Sequence, residues 1–296
     1  MAGTETGSRA EADGLADVAA GLDALDTPVE RGTPWWRRLL TRAVPPVVAV
    51  LAVLAVWQAL WAAAIWPEFK LPAPAAVGEH VGDLVGDGEI WGVLWVSVHR
   101  AVLGFLTAVI IATPLGLLVA RVPLLRNAVG PLITGLQSLP SVAWVPAAIL
   151  WFGLTPATIY AVVLLGSVPS IMNGLMSGLD QVPPLLTRVG KAVGAGPLTS
   201  ARLVSLPAAL PGYLAGCKQG WAFSWRSLMA AELIANSPQL GVGLGQTLEQ
   251  ARAMNSMSGV IAAILLILLV GISIELLVFR PVERRVLRGR GLAGAV

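Results

Sequence analysis

Six long apolar stretches follow one another along the chain, each bounded by polar or charged residues. They cover approximately residues 44–66, 93–120, 131–152, 157–176, 208–235 and 260–279. A helix needs about 20 mostly apolar residues to cross the hydrocarbon core of a bilayer. The pattern therefore predicts an all-α integral membrane protein with six transmembrane helices. Prolines inside these stretches, such as Pro140, are expected to be accommodated by neighbouring helices.

The charged residues between the stretches alternate in sign. The segment 67–92 holds five acidic residues and one lysine, whereas 31–43, 121–130 and 280–296 are dominated by arginine. Basic loops remain on the cytoplasmic side of a membrane. We therefore expect both termini in the cytoplasm, 67–92 outside, and 280–296 as a basic cytoplasmic tail.

The chain begins with an acidic head. Residues 1–30 hold seven acidic residues, one arginine and no aromatic side chain. Such a composition does not bury enough apolar surface to fold by itself. We expect 1–30 to be disordered within a cytoplasmic tail, 1–43. The head lacks the basic start and apolar core of a cleaved signal peptide.

The amino-acid composition disfavours a soluble domain, a disulfide framework and a cysteine-based metal site. Hydrophobic residues make up 56% of the chain and charged residues 12%, whereas soluble domains are about one quarter charged. One cysteine and two histidines leave no disulfide framework or cysteine-based metal site. An intramembrane serine protease is disfavoured, because both histidines precede most of the serines and no G-x-S-x-G occurs. We expect no catalytic residue, no metal, no bound cofactor and no nucleic acid; contact with anionic lipid accounts for the basic excess.

The loop 178–206 carries a motif with defined spacing. Its prolines at 183–184 and 197 predict one or two short helices lying across the membrane face. Gly194 is followed nine residues later by Val204-Ser205-Leu206-Pro207. This resembles the transmembrane permease subunits of binding-protein-dependent ABC importers, whose signature is Glu-Ala-Ala, three residues, Gly, nine residues, Ile-x-Leu-Pro. The family's glutamate falls on Arg188 and its two alanines on Val189 and Gly190, so the acidic start is missing.

Other stretches are similar to the sulfonate, taurine and nitrate branch of that family. They occur in the family's order over about 70–285: LPAP at 71–74, the S-x-x-R-x-x-x-G-F of 97–105, LPSVAWVPAAILWFG at 139–153, AAELIA at 230–235 and GVGLG at 241–245.

The resemblance implies a type I ABC importer permease fold with a cytoplasmic coupling helix. Two ATPase subunits would carry ATP and Mg, since the chain has no G-x-x-x-x-G-K-S/T loop. A second permease copy, expected to give a homodimer with a sister permease as the alternative, and an external binding protein would complete the importer. The implied solutes are small anions or zwitterions, namely alkanesulfonates, taurine, nitrate or bicarbonate, with thiamine-precursor-like compounds as a further alternative; an aliphatic sulfonate is favoured. The implied coupling residues are Arg188, Lys191, Gly194, Ala195, Val204, Leu206 and Pro207. The alternative is an ATP-independent secondary transporter or channel.

Polar residues within the apolar stretches are candidates for a solute path. They are Gln137, Ser138, Trp144, Asn173, Arg226 and Glu232. A charge in mid-membrane usually faces a cavity or a partner. Arg226 either attracts an anion or forms a structural ion pair, for which Glu275 is one candidate. Glu232 lines the path, faces the surface or makes a contact at a helix end. Gly212 and Gly216 are expected to allow close helix packing.

Overall fold

A computed structural model describes residues 35–237 and 240–289. The predicted disordered head, 1–30, lies outside the described residues. The chain divides into two compact units, Met1–Ala62 and Ala63–Val296. The described part of the first unit is one helix, α1 (Trp35–Ala62).

The second unit is built from helices and short helical turns, and its described residues contain no strand. In chain order the helices are α2 (Pro74–Gly86), α3 (Glu89–Arg121), α4 (Pro123–Ser138), α5 (Trp144–Phe152), α6 (Pro156–Asp180), α7 (Pro184–Ala192), α8 (Pro197–Ser200), α9 (Leu206–Ile234), α10 (Leu244–Ala253), α11 (Met257–Ile274) and α12 (Arg280–Arg288). A 3₁₀ turn at Ser141–Ala143 precedes α5, and π-helical turns at Ala201–Ser205 and Glu275–Phe279 precede α9 and α12.

The all-α, multi-pass membrane architecture is confirmed. Four helical stretches are long and apolar enough to cross a membrane: Val44–Ala62, Glu89–Arg121, Pro156–Asp180 and Met257–Arg288. The pair α4 and α5 makes a fifth if both halves belong to one span. Helix α9 has 29 residues, about 44 Å, but Lys218, Gln219 and Arg226 interrupt its apolar character. The count of six spans therefore stays a prediction.

The third predicted span, 131–152, is wrong as a straight helix. Helix α4 begins at Pro123, directly after Val122, so the predicted loop 121–130 is largely helical. Helix α4 ends at Ser138, and the axes of the two halves differ by 94°. Pro140 accounts for the break, because proline lacks a backbone N–H and disfavours helical geometry in the residue before it. Leu139 is accordingly extended, with φ −75° and ψ 130°.

Other boundaries also differ from the sequence prediction. The first span ends at Ala62, before the predicted 66. Helices α2 and α10 lie in segments predicted as loops. The basic segment after 279 continues as helix α12 to Arg288, because the π-helical turn joins it to α11 without a break.

The centre of the second unit is the close contact of α6 with α9. Gly174 and Gly178 of α6 lie opposite Gly216 and Gly212 of α9. A Cβ atom on Gly216 would lie 2.6 Å from the Cα of Gly174, and one on Gly212 would lie 2.5 Å from the Cα of Gly178. The two backbones therefore touch, as small residues allow in membrane helix pairs, and the predicted packing role of Gly212 and Gly216 is confirmed.

Candidate functional site

Arg226 is an exposed cation in the middle of α9. Its Nε donates a hydrogen bond to the Ala222 carbonyl at 3.2 Å. Its guanidinium carbon lies 4.6 Å from the centre of the Phe223 ring, a cation–π contact. Within 35–237 and 240–289 no carboxylate pairs with it. The positive charge thus remains available to a mobile anion.

A pocket of about 490 Å³ lies between Arg226 and the break that separates α4 from α5. Gln137, Ser138 and Ser141 line it together with Arg226. The Gln137 Nε2 donates to the Pro169 carbonyl at 3.1 Å, which fixes the side chain against α6. Three of the residues predicted for the solute path therefore meet at one place, because the bend exposes the end of α4 to α9.

A second pocket, of about 500 Å³, lies along α9 beside Arg226. Lys218 and Glu275 line it, and their charged atoms are 2.6 Å apart. Glu283 lies 3.5 Å from the same ammonium group. Glu275 therefore pairs with Lys218 and not with Arg226. The sequence signal for Lys218 was its position eight residues before Arg226, close to the same face of the helix.

Glu232 lies at the other end of α9 and is fully buried. Its carboxylate accepts hydrogen bonds from Ser97 Oγ at 2.7 Å, Arg100 Nη1 at 3.0 Å and the Gly245 amide at 3.1 Å. The Arg100 guanidinium also donates to the Leu240 carbonyl. Glu232 therefore makes a contact at a helix end, and the surface-facing alternative is wrong, because the side chain is fully buried. The ion pair joins α3, α9 and the segment after Leu240.

Two of the three glycines of GVGLG make room for this ion pair. A Cβ atom on Gly243 would lie 2.5 Å from the Glu232 carboxylate oxygens, and one on Gly245 would lie 2.6 Å from the Glu232 Cβ. The Leu244 amide donates to Ser97 Oγ at 2.8 Å. The sequence contained a signal for this arrangement, because Ser97 and Arg100 stand three residues apart on one helix face.

The remaining predicted path residues lie elsewhere. Trp144 is half-buried and packs against the apolar core. Asn173 is exposed and lines a third pocket, of about 540 Å³, beside the Arg126–Asp180 ion pair. Neither side chain lines either of the two pockets described above beside Arg226.

Gly194 ends helix α7 in a left-handed conformation, with φ +76°. The Ala195 amide donates to the Gly190 carbonyl at 3.0 Å, the hydrogen bond of a Schellman cap. A Cβ atom on Gly194 would meet nothing within 4 Å. Glycine is thus required here by backbone conformation and not by crowding within the chain.

The short helices of the predicted coupling loop expose an apolar stripe. Leu185, Val189 and Val193 follow one another at intervals of four residues and are 68%, 52% and 78% exposed. Arg188, on the same stretch, is exposed and has no carboxylate partner in the described part of the chain. We call this surface the loop stripe.

The other predicted coupling residues lie around the start of α9 or on the loop. Lys191 belongs to α7, and Ala195 is half-buried just after the Gly194 cap. Val204 and Leu206 are half-buried, and Pro207 is exposed in the first turn of α9.

Residues 112–288 match the family described as "Binding-protein-dependent transport system inner membrane component". The match covers more than half of the chain, so the chain belongs to this family and is an ABC transporter permease. It is a multi-pass membrane protein and a transport component.

Several permeases are similar over most of the chain. The taurine transport system permease protein TauC of Escherichia coli is 28% identical over 256 residues, which is 84% of this chain and 91% of TauC. The putative aliphatic sulfonates transport permease protein SsuC of Bacillus subtilis is 27% identical over 281 residues, 93% and 97% of the two chains. The nitrate import permease protein NrtB of Leptolyngbya laminosa is 29% identical over 251 residues, 81% and 87%.

Proposed function

We propose that the chain is the transmembrane subunit of an ATP-driven importer of a small anion, with an aliphatic sulfonate as the favoured solute. Two ATPase subunits bind ATP and Mg, a second copy of the chain completes the pore, and an external binding protein delivers the solute. Both termini face the cytoplasm. The names of TauC, SsuC and NrtB support the anionic solute class.

Arg226 is the observation that carries the proposal. Inserting a charge near the bilayer centre costs at least about 2.5–3.5 kcal/mol on insertion scales. A charged residue there therefore usually faces a cavity or a partner. The planar guanidinium matches the oxygens of a sulfonate or nitrate and bonds them in pairs. Gln137 and Ser138 add neutral polar groups at the same pocket. Together these residues give a bound anion one positive charge and two neutral polar groups that do not repel it.

Helix α9 connects the loop to this pocket. It begins at Leu206, directly after the π-helical turn that ends the loop, and carries Arg226 about five and a half turns further on. A force applied to the loop stripe by an ATPase would therefore move Arg226 through one continuous helix. Rigid-body movement of this kind is how transporters alternate access to a central site.

The experiment is uptake into liposomes that contain the full complex, supplied with the binding protein and labelled taurine, an alkanesulfonate or nitrate. Arg226→Gln removes the charge, Arg226→Lys keeps it, and Arg252→Gln removes an exposed arginine of α10 as a control. We expect ATP-dependent uptake to fall about 10-fold or more in Arg226→Gln, the loss expected for a charge-assisted hydrogen bond. Arg226→Lys should retain part of the rate and Arg252→Gln nearly all of it.

Two outcomes would contradict the proposal. Wild-type uptake by Arg226→Gln would remove Arg226 from the path. Uptake by the chain alone, without ATP or an ATPase, would favour the secondary transporter or channel.

A further inference from the structure

Helix α12 carries four arginines on one face. Arg280, Arg284, Arg285 and Arg288 fall within about 140° of the helix circumference at 100° per residue. All four are exposed. In the described ranges none of them forms an ion pair with a carboxylate. We call this surface the arginine face.

The single acidic residue of α12 does not neutralise the arginine face. Glu283 lies on another side of the helix and its carboxylate is 3.5 Å from the Lys218 ammonium of α9. Glu283 therefore holds α12 against α9. The four arginines lie about 60–160° around the helix from Glu283 and are exposed. The face keeps its full charge.

The position of α12 along its span places this charge at the membrane surface. The 18 residues of α11 and the five of the following turn are almost entirely apolar, and together they extend about 34 Å. That length matches the hydrocarbon core of about 30 Å. Arg280 then lies at the edge of the core, Arg284 and Arg285 about one turn beyond it, and Arg288 about two turns beyond it. Head groups occupy the layer of about 5–8 Å next to the core. Arg280, Arg284 and Arg285 therefore lie at this layer, and Arg288, about 12 Å from the core, lies just outside it.

We propose that the arginine face binds the phosphates of anionic phospholipid head groups. Guanidinium groups bond phosphate oxygens in pairs and are weakly hydrated, so they bind well at a lipid surface. Each basic residue close to an anionic membrane strengthens binding about fivefold. An acidic protein surface is a poorer fit, because the face starts at the hydrocarbon edge and runs through the head-group layer. The inference does not depend on the transported solute.

The test is native mass spectrometry of the full chain in detergent, titrated with phosphatidylglycerol or phosphatidylcholine. The wild type should prefer phosphatidylglycerol by at least about tenfold. Arg280→Gln, Arg284→Gln, Arg285→Gln and Arg288→Gln combined should lose that preference. The same four positions changed to lysine should retain most of it, and so should Arg252→Gln on α10. Equal elution volumes in size-exclusion chromatography confirm that the variants are folded.

Three results would overturn the inference. The first is an unchanged preference for phosphatidylglycerol in the glutamine variant. The second is displacement of the lipid by an equal concentration of inorganic phosphate, which would indicate a site for a free anion. The third is loss of a co-purifying ATPase from the glutamine variant with lipid preference intact, which would assign the face to a protein partner. Wild-type uptake by Arg226→Gln would contradict the proposed function but would leave the result of the lipid titration unaffected.

Discussion

The buried ion pair of Glu232 and Arg100 shows how one carboxylate organises three segments. Their side chains are 0% and 11% exposed, so the pair has little access to water. Removing one partner of such a pair leaves the other charge buried and uncompensated. The exposed pair Arg252–Glu249, at 72% and 26%, has water to take the partner's place.

Glu232→Ala should lower the free energy of unfolding by about 3–5 kcal/mol, measured by denaturant titration of the detergent-solubilised chain. The matched control Glu249→Ala should lower it by less than about 1 kcal/mol. Adding Arg100→Ala to Glu232→Ala should recover part of the loss, because the unpaired charge is then gone. Equal losses in the two single variants would show that burial of the pair is energetically unimportant.

At this scale the sequence identified the charged residues but not their partners. Arg226 and Glu232 both stand out as charges in an apolar stretch. Their environments differ because Arg100 reaches Glu232 from a position 132 residues earlier in the chain. Spacing within one helix carries no information on such a contact. Only the three-dimensional arrangement distinguishes Arg226, which has no carboxylate partner among the described residues, from Lys218, which pairs with Glu275.

At the scale of elements, the contact of α6 with α9 is set by glycine on both sides. Backbone atoms of the partner helix lie where a Cβ atom of Gly216 would be. A flexible side chain could move aside, but a backbone requires the helices to separate. The same two helices connect the loop to the Arg226 pocket, so their separation would disturb both.

Gly216→Val should destabilise the fold by about 1–3 kcal/mol or more, seen as a lower melting temperature of the detergent-solubilised chain. Gly135→Val is the control, since a Cβ atom there would meet nothing within 4 Å. Gly135 also lies in a helix, so both variants carry the same change in helix propensity. A similar shift for the two would indicate that α6 and α9 separate without cost.

The boundaries of a helix could be predicted where the length of an apolar run determines them. They could not be predicted where a short polar sequence or a single proline determines them. The stretches at 157–176 and 260–279 fall within single helices, because each is a sustained apolar run. Helix α10 was not predicted, because its amphipathic sequence is short and polar. The sequence predicts that neighbouring helices accommodate Pro140 within one span, whereas the helix axis bends by 94° there. Whether a helix continues through a proline depends on whether neighbouring groups supply hydrogen-bond partners for the freed backbone groups.

At the scale of the whole molecule, the apolar stretches predicted the all-α membrane class, and the order of motifs predicted the family. The number of spans was less accessible, because α9 is packed within the protein and need not be apolar all round. We expect the loop stripe to be the surface to which the proposed ATPase binds. Three exposed apolar side chains on a polar loop are typical of a docking site.

Leu185→Ser, Val189→Ser and Val193→Ser combined should abolish co-purification of an ATPase, because the apolar contact area is lost. Val85→Ser, at an exposed position of α2, is the control and should retain the ATPase. Gly194→Asn should retain more ATPase than Gly194→Val, because asparagine tolerates a positive φ. Retention of the ATPase by the triple variant in a pull-down from mild detergent would place the docking surface elsewhere.

The bend between α4 and α5 has a consequence for the hydration of the pocket beside it. Leu139 at the break is 46% exposed, and a broken helix releases backbone groups that hydrocarbon does not satisfy. Leu139 and Pro140 line the pocket that Arg226 also lines. If the bent pair forms one span, the released backbone groups would therefore need water or a polar solute in that pocket.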